Sequence, residues 1–242
     1  DTSALGWLMA GQETIDPRFG YFLSTTWRMH PALAERVSHL SYAGSLTAEP
    51  SVTTARRLAG LAPGVHVEHV EHDGNTVDSP EEAGAIARSI HDLIGREWLD
   101  PDEAEAPRPL RQSDIRVVTP YNAQVHRLRA VLDAAGLTQV AAGTVDKFQG
   151  QEGAVVYVSM AASARGDVAR GMGFLLNRNR LNVALSRAKW AAIVVCSPEL
   201  TDFTPASPRE LLLLGAFLQL TAQAPSAGKL LAEPKIRQPT LF

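Results

Sequence analysis

The sequence is poor in cysteine, and it has no long apolar run. One cysteine, Cys196, occurs in 242 residues, which excludes disulfide and cysteine–metal frameworks and favours a reducing, cytoplasmic setting. No apolar run approaches the length of a membrane span, so we expect no membrane partner. The start, Asp1-Thr2-Ser3, has neither an initiator Met nor a basic-then-apolar signal segment, and we expect the chain to be a fragment of a longer protein.

A net positive charge is also absent. The formal net charge is -3, so there is no basic signature of the whole domain, and any binding of nucleic acid must come from a local surface. Hydrophobic residues make up 45% and charged residues 20% of the chain. This is an ordinary globular composition, and the length suits one large domain with an insert or a tail.

Two sequence features that bind the phosphates of a nucleotide are missing: a phosphate-binding loop and an acidic pair that could hold Mg²⁺. No Gly-x-x-x-x-Gly-Lys-[Ser/Thr] loop occurs, because Gly228-Lys229 is followed by Leu230 and has no glycine at the required distance before it. No strand ends in an Asp-Glu pair that could hold Mg²⁺. His66 and His69 are not expected to share a metal, because strand alternation places them on opposite faces. We therefore predict no metal site in this chain.

The segment 179–189 is the most informative stretch that is present. Read at helical spacing, it places Arg180 and Arg187 two turns apart on one stripe. The neighbouring stripe is apolar and consists of Leu181, Leu185 and Ala188. The apolar run 191–196 follows at once and predicts a buried strand, so the arginines would point in a fixed direction. Fixed cations of this kind suit phosphate chemistry.

The rest of the chain alternates predicted strands with predicted helices. The strands are expected at 21–24, 65–70, 115–118, 140–145, 154–159 and 191–196, and the helices at 31–40, 80–94, 121–135 and 211–220. This alternation predicts an α/β fold with a parallel sheet covered by helices on both faces. Ligands of such sheets bind at the carboxyl ends of the strands, where we expect Arg28, Thr119 and the segment 144–152.

The chain divides into three parts at the level of sequence. Residues 1–20 are expected to be a lead-in from a preceding domain, 21–205 the α/β domain, and 206–242 a C-terminal helix and tail. Within the domain, the acidic and proline-rich segment 97–113 indicates an exposed surface insert. Ser79-Pro80-Glu81-Glu82 predicts a helix start in which Ser79 is the cap and Glu82 closes a capping box.

Four segments in order carry a resemblance to a known family: 26–31, 118–124, 143–152 and 179–189. Together they resemble the motifs of superfamily 1 helicases over residues 21–198, in the 5′→3′ branch that includes the RNA-surveillance helicase and the replication nuclease-helicase. The resemblance implies a RecA-like second motor domain without its own phosphate loop. The phosphate loop and the ligands of Mg²⁺ are then expected on an N-terminal RecA-like domain upstream of Asp1.

The resemblance also implies roles at a nucleotide. Arg187 matches the arginine finger, which neutralises charge on the γ-phosphate, and Arg28 matches a second phosphate-facing arginine. Glu152 is similar to a glutamate that accepts a hydrogen bond from the ribose, and Gln149 lies on the same turn. Arg180 stands where the family often has an Arg-Arg pair, and it is a further candidate for nucleotide binding.

Three residues match positions on the family's nucleic-acid path. Thr119 and Thr144 each end a strand, where a hydroxyl and free backbone amides can hold a phosphodiester oxygen; the alternative for Thr119 is a helix cap. Tyr121 is a candidate for stacking on a base, and the alternative is packing in the core, the more common use of a tyrosine at a helix start. The segment 159–162 lacks the basic residue that the family has after this strand.

The resemblance implies the C-terminal motor domain of an ATP-dependent DNA or RNA helicase, which would be inert as an isolated fragment. Its partners would be ATP with Mg²⁺, the N-terminal RecA-like domain and single-stranded nucleic acid. We favour DNA over RNA, although no residue that reads a 2′-hydroxyl is identifiable. The alternative is a RecA-like module without catalytic function that binds nucleic acid or a protein.

Overall fold

The computed structural model describes residues 4–9, 12, 14–148, 150–221 and 224–225. The helices are α1 (Ala4–Met9), α2 (Pro31–Ser41), α3 (Pro50–Thr53), α4 (Pro80–Leu93), α5 (Asn122–Ala134), α6 (Met172–Leu175), α7 (Arg178–Leu185) and α8 (Pro208–Thr221). The strands are β1 (Thr25–Thr26), β2 (Thr47–Ala48), β3 (Arg57–Leu58), β4 (Gly64–His69), β5 (Glu97–Leu99), β6 (Arg108–Pro109), β7 (Ile115–Thr119), β8 (Ala141–Thr144), β9 (Gly153–Ser159) and β10 (Ala188–Cys196).

The main sheet has five strands in the order β4-β10-β9-β7-β8, and every neighbouring pair is parallel. Every residue of β9 and β10 is buried, as expected for central strands whose two faces are both covered. The prediction of a parallel α/β sheet is confirmed, and the fold is RecA-like.

Helices cover both faces of this sheet, as predicted. One core contains α2, α7 and α8 against the sheet, with Leu33, Leu181 and Phe217 among its buried residues. The other core contains α4 and α5, with Ile86 and Leu128 buried between them and the opposite face. The single thiol, Cys196, is buried at the end of β10, and burial raises its pKa, so it is an inert core residue.

At the start of α4, the predicted cap is present but the predicted capping box is not. Ser79 is the cap, and its side chain accepts a hydrogen bond from the amide of Glu82. The capping box is wrong, because the Ser79 amide donates to Gln124 Oε1 instead. The carboxylate of Glu82 turns into the core, where it accepts from Ser159 Oγ at 2.6 Å and from the amide of Ala161 at 3.0 and 3.1 Å.

The strand predicted at 21–24 is wrong. Tyr21 is 97% exposed and Leu23 is 83% exposed, so this segment does not reach the core. The strand falls later, at Thr25–Thr26, and pairs in parallel with β2 in a separate two-stranded sheet. Apolar residues alone did not specify a strand here, because no partner strand of the main sheet lies beside them.

The helix predicted across 179–189 is too long. α7 ends at Leu185, and β10 already begins at Ala188. Arg187 therefore lies in the turn between them, where its carbonyl accepts a hydrogen bond from the amide of Gly153 at 3.0 Å. Pairing of Ala188 with Gly153 in the sheet overrides the helical periodicity that placed Arg187 on the helix.

The prediction of an exposed insert at 97–113 needs correction at its two ends. β5 pairs antiparallel with both β3 and β6 in a three-stranded sheet. Residues 101–109 are largely exposed, but Trp98, Asp100 and Leu110 are buried. These three side chains anchor the insert to the domain.

The two ends of the chain are partly described. α1 lies within the predicted lead-in, and α8 agrees with the helix predicted at 211–220. Gln149 and most of the predicted tail fall outside the described residues. Within the part of the chain that is described, no helix is long and apolar enough to cross a membrane.

Candidate functional site

The predicted nucleotide residues gather at the amino edge of the main sheet, which is the edge where its strands begin. Glu152 directly precedes β9, and Arg187 directly precedes β10. Arg28 reaches the same edge, because its Nη1 donates to the carbonyl of Ser186 at 3.0 Å. The expectation that Arg28 and Glu152 lie at the carboxyl ends is wrong, since α7 and the segment after β8 each return the chain to the opposite edge.

Arg28 and Glu152 form an ion pair at this edge. Arg28 Nε donates to Glu152 Oε2 at 2.5 Å, and the two side chains are 33% and 40% exposed. Partial burial acts to raise the pKa of Glu152, but the hydrogen bond from Arg28 and the charges of Lys189 and Arg28 outweigh it, so this pKa lies below its ordinary value. Glu152 is therefore an ionised acceptor.

Arg187 is a cation without a hydrogen-bond partner at its buried Nε among the described residues. Partial burial and the charge of Arg28 both lower its pKa, whereas Glu152 opposes them. The guanidinium lines a cavity of about 290 Å³ together with Asp146, Arg180 and other residues of α7 and of the turn after β8. A desolvated cation next to an open cavity is suited to an anionic ligand.

A second cavity of about 440 Å³ has Arg28 and Glu152 in its lining. Trp27 also lines this cavity and is 60% exposed. The cavity lining carries two cations, Arg28 and Arg56, and two carboxylates, Asp102 and Glu152. Such a set fits a nucleotide, which carries both phosphates and hydroxyls. Across the described ranges, no group of three His, Cys, Asp or Glu side chains could hold a metal ion.

Sequence reasoning missed the ion-pair network that supports this edge. Lys189 Nζ contacts Asp100 at 2.6 Å, Glu103 at 3.0 Å and Glu152 at 3.5 Å. Arg56, which is almost fully buried, contacts Asp100 at 2.9 Å and Asp102 at 2.6 Å. The only signal in the sequence was the cluster of acidic residues at 100–105, and composition alone indicated an exposed segment.

The predicted nucleic-acid residues lie at the opposite, carboxyl edge of the sheet. Thr119 ends β7, Thr144 ends β8, and the two are register partners. Thr119 is fully buried, and its Oγ1 has no hydrogen-bond partner among the described residues. The structure favours the core role for Tyr121, because it is only 5% exposed and its ring packs 5.6 Å from Phe174.

Arg180 lies between the two edges. It lines the cavity of Arg187, and it also lines a narrow cavity with Thr119 and Pro120. Neither of these two cavities has Arg28 or Glu152 in its lining. The cavity of Arg187 is lined both by α7 and by the turn Val145–Phe148.

Comparison with known proteins shows which family the chain resembles. The model of a family described as "AAA domain" matches residues 8–199. The chain is 31% identical over 189 residues to "DNA polymerase alpha-associated DNA helicase A" of Saccharomyces cerevisiae, covering 72% of this chain and 27% of that protein. It is 30% identical to "DNA-binding protein SMUBP-2" of Rattus norvegicus, covering 72% and 18%. It is also 30% identical to "ATP-dependent helicase upf1" of Schizosaccharomyces pombe, covering 73% and 20%.

This chain therefore spans between 18% and 27% of the length of these relatives. The family match covers the α/β domain from the end of α1 to the residues after β10. The chain belongs to the AAA domain family and is a superfamily 1 helicase C-terminal domain.

Proposed function

We propose that this chain is the C-terminal motor domain of an ATP-dependent helicase, which supplies an arginine finger and part of the path of the single strand. Arg187 carries the proposal, because its guanidinium has an unpartnered buried Nε beside a cavity and lies next to Arg28. A cation placed at a transferring γ-phosphate is worth about 10³–10⁵-fold in rate in related enzymes.

Two neighbours of Arg187, Arg28 and Glu152, are proposed to bind other groups of ATP. Arg28 offers a second cation to phosphate, and the ionised Glu152 offers an acceptor to a ribose hydroxyl. A carboxylate repels phosphate but accepts well from a hydroxyl, so the two charges of this pair select different groups of one nucleotide. Gln149 is the remaining candidate on the turn before Glu152.

The chain's own residues do not provide the rest of the ATPase. The sequence has no phosphate loop, and the described residues offer no metal cluster. We propose that an N-terminal RecA-like domain supplies the phosphate loop and the ligands of Mg²⁺. The magnesium ion would neutralise phosphate charge there.

The carboxyl edge of the main sheet carries the residues proposed to bind nucleic acid. Thr119 and Thr144 are register partners at this edge. Thr144 is half-buried, and the buried Thr119 hydroxyl lies at the narrow cavity that Pro120 also lines. Contacts from such groups go to the backbone of a strand and not to its bases. We propose single-stranded DNA as the preferred partner over RNA, which agrees with the names of the first two relatives above. A cytoplasmic setting remains a prediction from the scarcity of cysteine.

The experiment measures ATP hydrolysis and nucleotide binding in the full-length protein. Arg187→Ala should cut turnover by about 10³-fold or more while nucleotide affinity changes little, because the finger acts on the transition state. Arg209→Ala, an exposed arginine of α8, is the matched control and should hydrolyse ATP normally. Normal turnover of Arg187→Ala would remove the arginine-finger assignment.

The same measurements test the alternative of a module without catalytic function. A wild-type protein that binds single strands but neither binds nor hydrolyses ATP would support that module. The isolated 242-residue chain should be nearly inactive, and ATP hydrolysis by it that Arg187→Ala abolishes would contradict the proposed division of labour.

A further inference from the structure

The loop and helices between β9 and β10 carry a cluster of three side chains: Arg170, Phe174 and Arg180. Of these, Arg180 also lines the cavity of Arg187. Arg170 Cζ lies 3.9 Å from the centroid of the Phe174 ring, and Arg180 Cζ lies 4.2 Å from it. Both distances are well inside the range of a cation–π contact. One ring thus holds two cations.

Phe174 is a fixed support for these cations. Its helix α6 is anchored in the core by Met172 and Leu175, which are both buried. Gly171, with φ 74°, reverses the chain directly after Arg170, a backbone conformation that glycine adopts without strain. The Phe174 ring is also packed against Tyr121. Packing within the domain therefore holds the Phe174 ring in place without a ligand.

The two guanidiniums keep their hydrogen-bonding capacity. Neither Arg170 nor Arg180 has a side-chain hydrogen bond or a carboxylate within ion-pair distance in the described part of the chain. Other arginines do, such as Arg165, which pairs with Glu210 at 3.1 Å. A guanidinium held by its face retains the N–H donors in its plane, and these donors form a fork that matches a phosphate.

The cluster lies beside the carboxyl edge, where the proposed strand path runs. Arg180 lines the narrow cavity that Thr119 and Pro120 also line. The charge of Arg170 reaches the Tyr121 hydroxyl, because it acts against the burial that raises the pKa of this phenol. Arg170 is exposed, so a ligand can approach it from solvent.

We propose that Arg170 and Arg180, held on Phe174, form a clamp for phosphate groups of the single strand. This inference rests on the proposed function and adds a local basic site to a chain with a net charge of -3. It removes Arg180 from the nucleotide and gives it to the strand. The cluster also supplies positive charge near the segment 159–162, which has no basic residue of its own.

The test measures binding of labelled oligo-dT and oligo-U of equal length to the full-length protein across a series of salt concentrations. Each phosphate contact on a single strand contributes about 0.7 to the slope of log affinity against log salt. The double variant R170Q/R180Q should therefore lower this slope by about 1.4, and each single variant by about half as much. Affinity should fall about tenfold for each arginine, as for a hydrogen bond to a charged group.

Two further variants separate the effect of the arginine charges from the effect of the Phe174 ring that supports them. Arg209→Gln removes one exposed positive charge from α8 that is not held on Phe174, and it should leave the slope within error of wild type. Phe174→Leu keeps both charges, so it should keep the slope but lower the affinity several-fold because the cations lose their support. A slope and an affinity of R170Q/R180Q that equal those of Arg209→Gln would overturn the clamp.

Kinetics distinguish the clamp from the nucleotide site. Strand-stimulated ATP hydrolysis by Arg180→Gln should show a raised KM for the strand and an unchanged KM for ATP. The opposite split would return Arg180 to the nucleotide and overturn the clamp while leaving the proposed motor function intact. Loss of all turnover on Arg187→Ala, with normal strand binding, tests the motor function independently.

Discussion

Arg28 donates a 2.5 Å hydrogen bond to Glu152, so the residues proposed to bind the phosphates and the ribose of the nucleotide are paired with each other in this structure. Both side chains are partly exposed, and such pairs contribute little net free energy. Arg28 can therefore exchange Glu152 for a phosphate, and Glu152 can exchange Arg28 for a hydroxyl, at small cost. The ion pair keeps both side chains at the site without blocking it.

The first prediction concerns nucleotide selection by Glu152. Glu152→Ala should lower the affinity for ATP by about tenfold or more, since a hydrogen bond to a charged group is lost. It should not lower the affinity for 2′,3′-dideoxy-ATP, because this nucleotide offers no ribose hydroxyl and the variant frees Arg28 for phosphate. Titration of the full-length protein with both nucleotides measures the difference. An equal fall for both would exclude the contact with the ribose.

The helices and the main strands were predictable because their signals are local. Pro31 at a helix start and the apolar runs of β9 and β10 need no information from distant residues. The ends of α7 and the burial of Asp100 were not predictable in the same way. Asp100 meets Lys189 across 89 residues of sequence, and only the folded sheet brings them together.

The candidate site was predictable only as a set of residues. Resemblance grouped Arg28, Glu152 and Arg187, and the structure brings these three to one edge. The choice of edge was wrong, because the rule for parallel sheets does not anticipate that the turns before β9 and β10 carry the ligand-binding side chains. Phe174 belongs to no predicted motif, and its contacts with Arg170 and Arg180 are evident only in the folded structure.

The second prediction concerns the stability that Asp100 provides. The Asp100 carboxylate is fully buried between Arg56 and Lys189, and removal of one member of a buried ion pair costs about 3–5 kcal/mol. Asp100→Asn should lower the free energy of unfolding by this amount in urea denaturation. Asp78→Asn, which removes the partly exposed pair with Arg127, should cost about 1 kcal/mol or less. Similar losses for both variants would contradict the assigned burial.

The third prediction gives the dependence of this effect on pH. Burial acts to raise the pKa of Asp100, but the hydrogen bonds and charges of Lys189 and Arg56 lower it below its ordinary value. A carboxyl with a depressed folded pKa stabilises the protein above its unfolded pKa of about 4, and this stabilisation is lost as pH falls through the folded pKa. The difference between wild type and Asp100→Asn should be constant between about pH 5 and pH 7 and should shrink in more acidic buffer. A difference that grows on acidification would contradict the sign.

The fourth prediction concerns the backbone at Ala161, after β9. Its φ is 67°, a left-handed conformation that costs about 1 kcal/mol or more for a residue with a side chain. Glu82 holds this conformation by accepting from the Ala161 amide. Ala161→Gly should therefore change the free energy of unfolding by less than about 0.5 kcal/mol, because relief of strain offsets the added chain entropy. Ala162→Gly, at a buried neighbour without this strain, should cost more, and equal effects would contradict the assignment.

The fifth prediction separates binding from stability at Thr119. The Oγ1 of Thr119 is buried without a partner among the described residues, and replacing such a hydroxyl by a methyl group of the same shape is neutral or stabilising. Thr119→Val should therefore keep or raise the free energy of unfolding and lower the affinity for single strands several-fold, equally for different base sequences. Thr53→Val is the matched control. The Thr53 hydroxyl is also buried, but it donates a hydrogen bond to the carbonyl of Glu49 at 2.7 Å. That variant should lose about 1 kcal/mol of stability and bind strands normally. Normal strand binding by Thr119→Val would assign its hydroxyl to no ligand and leave only Thr144 at this edge.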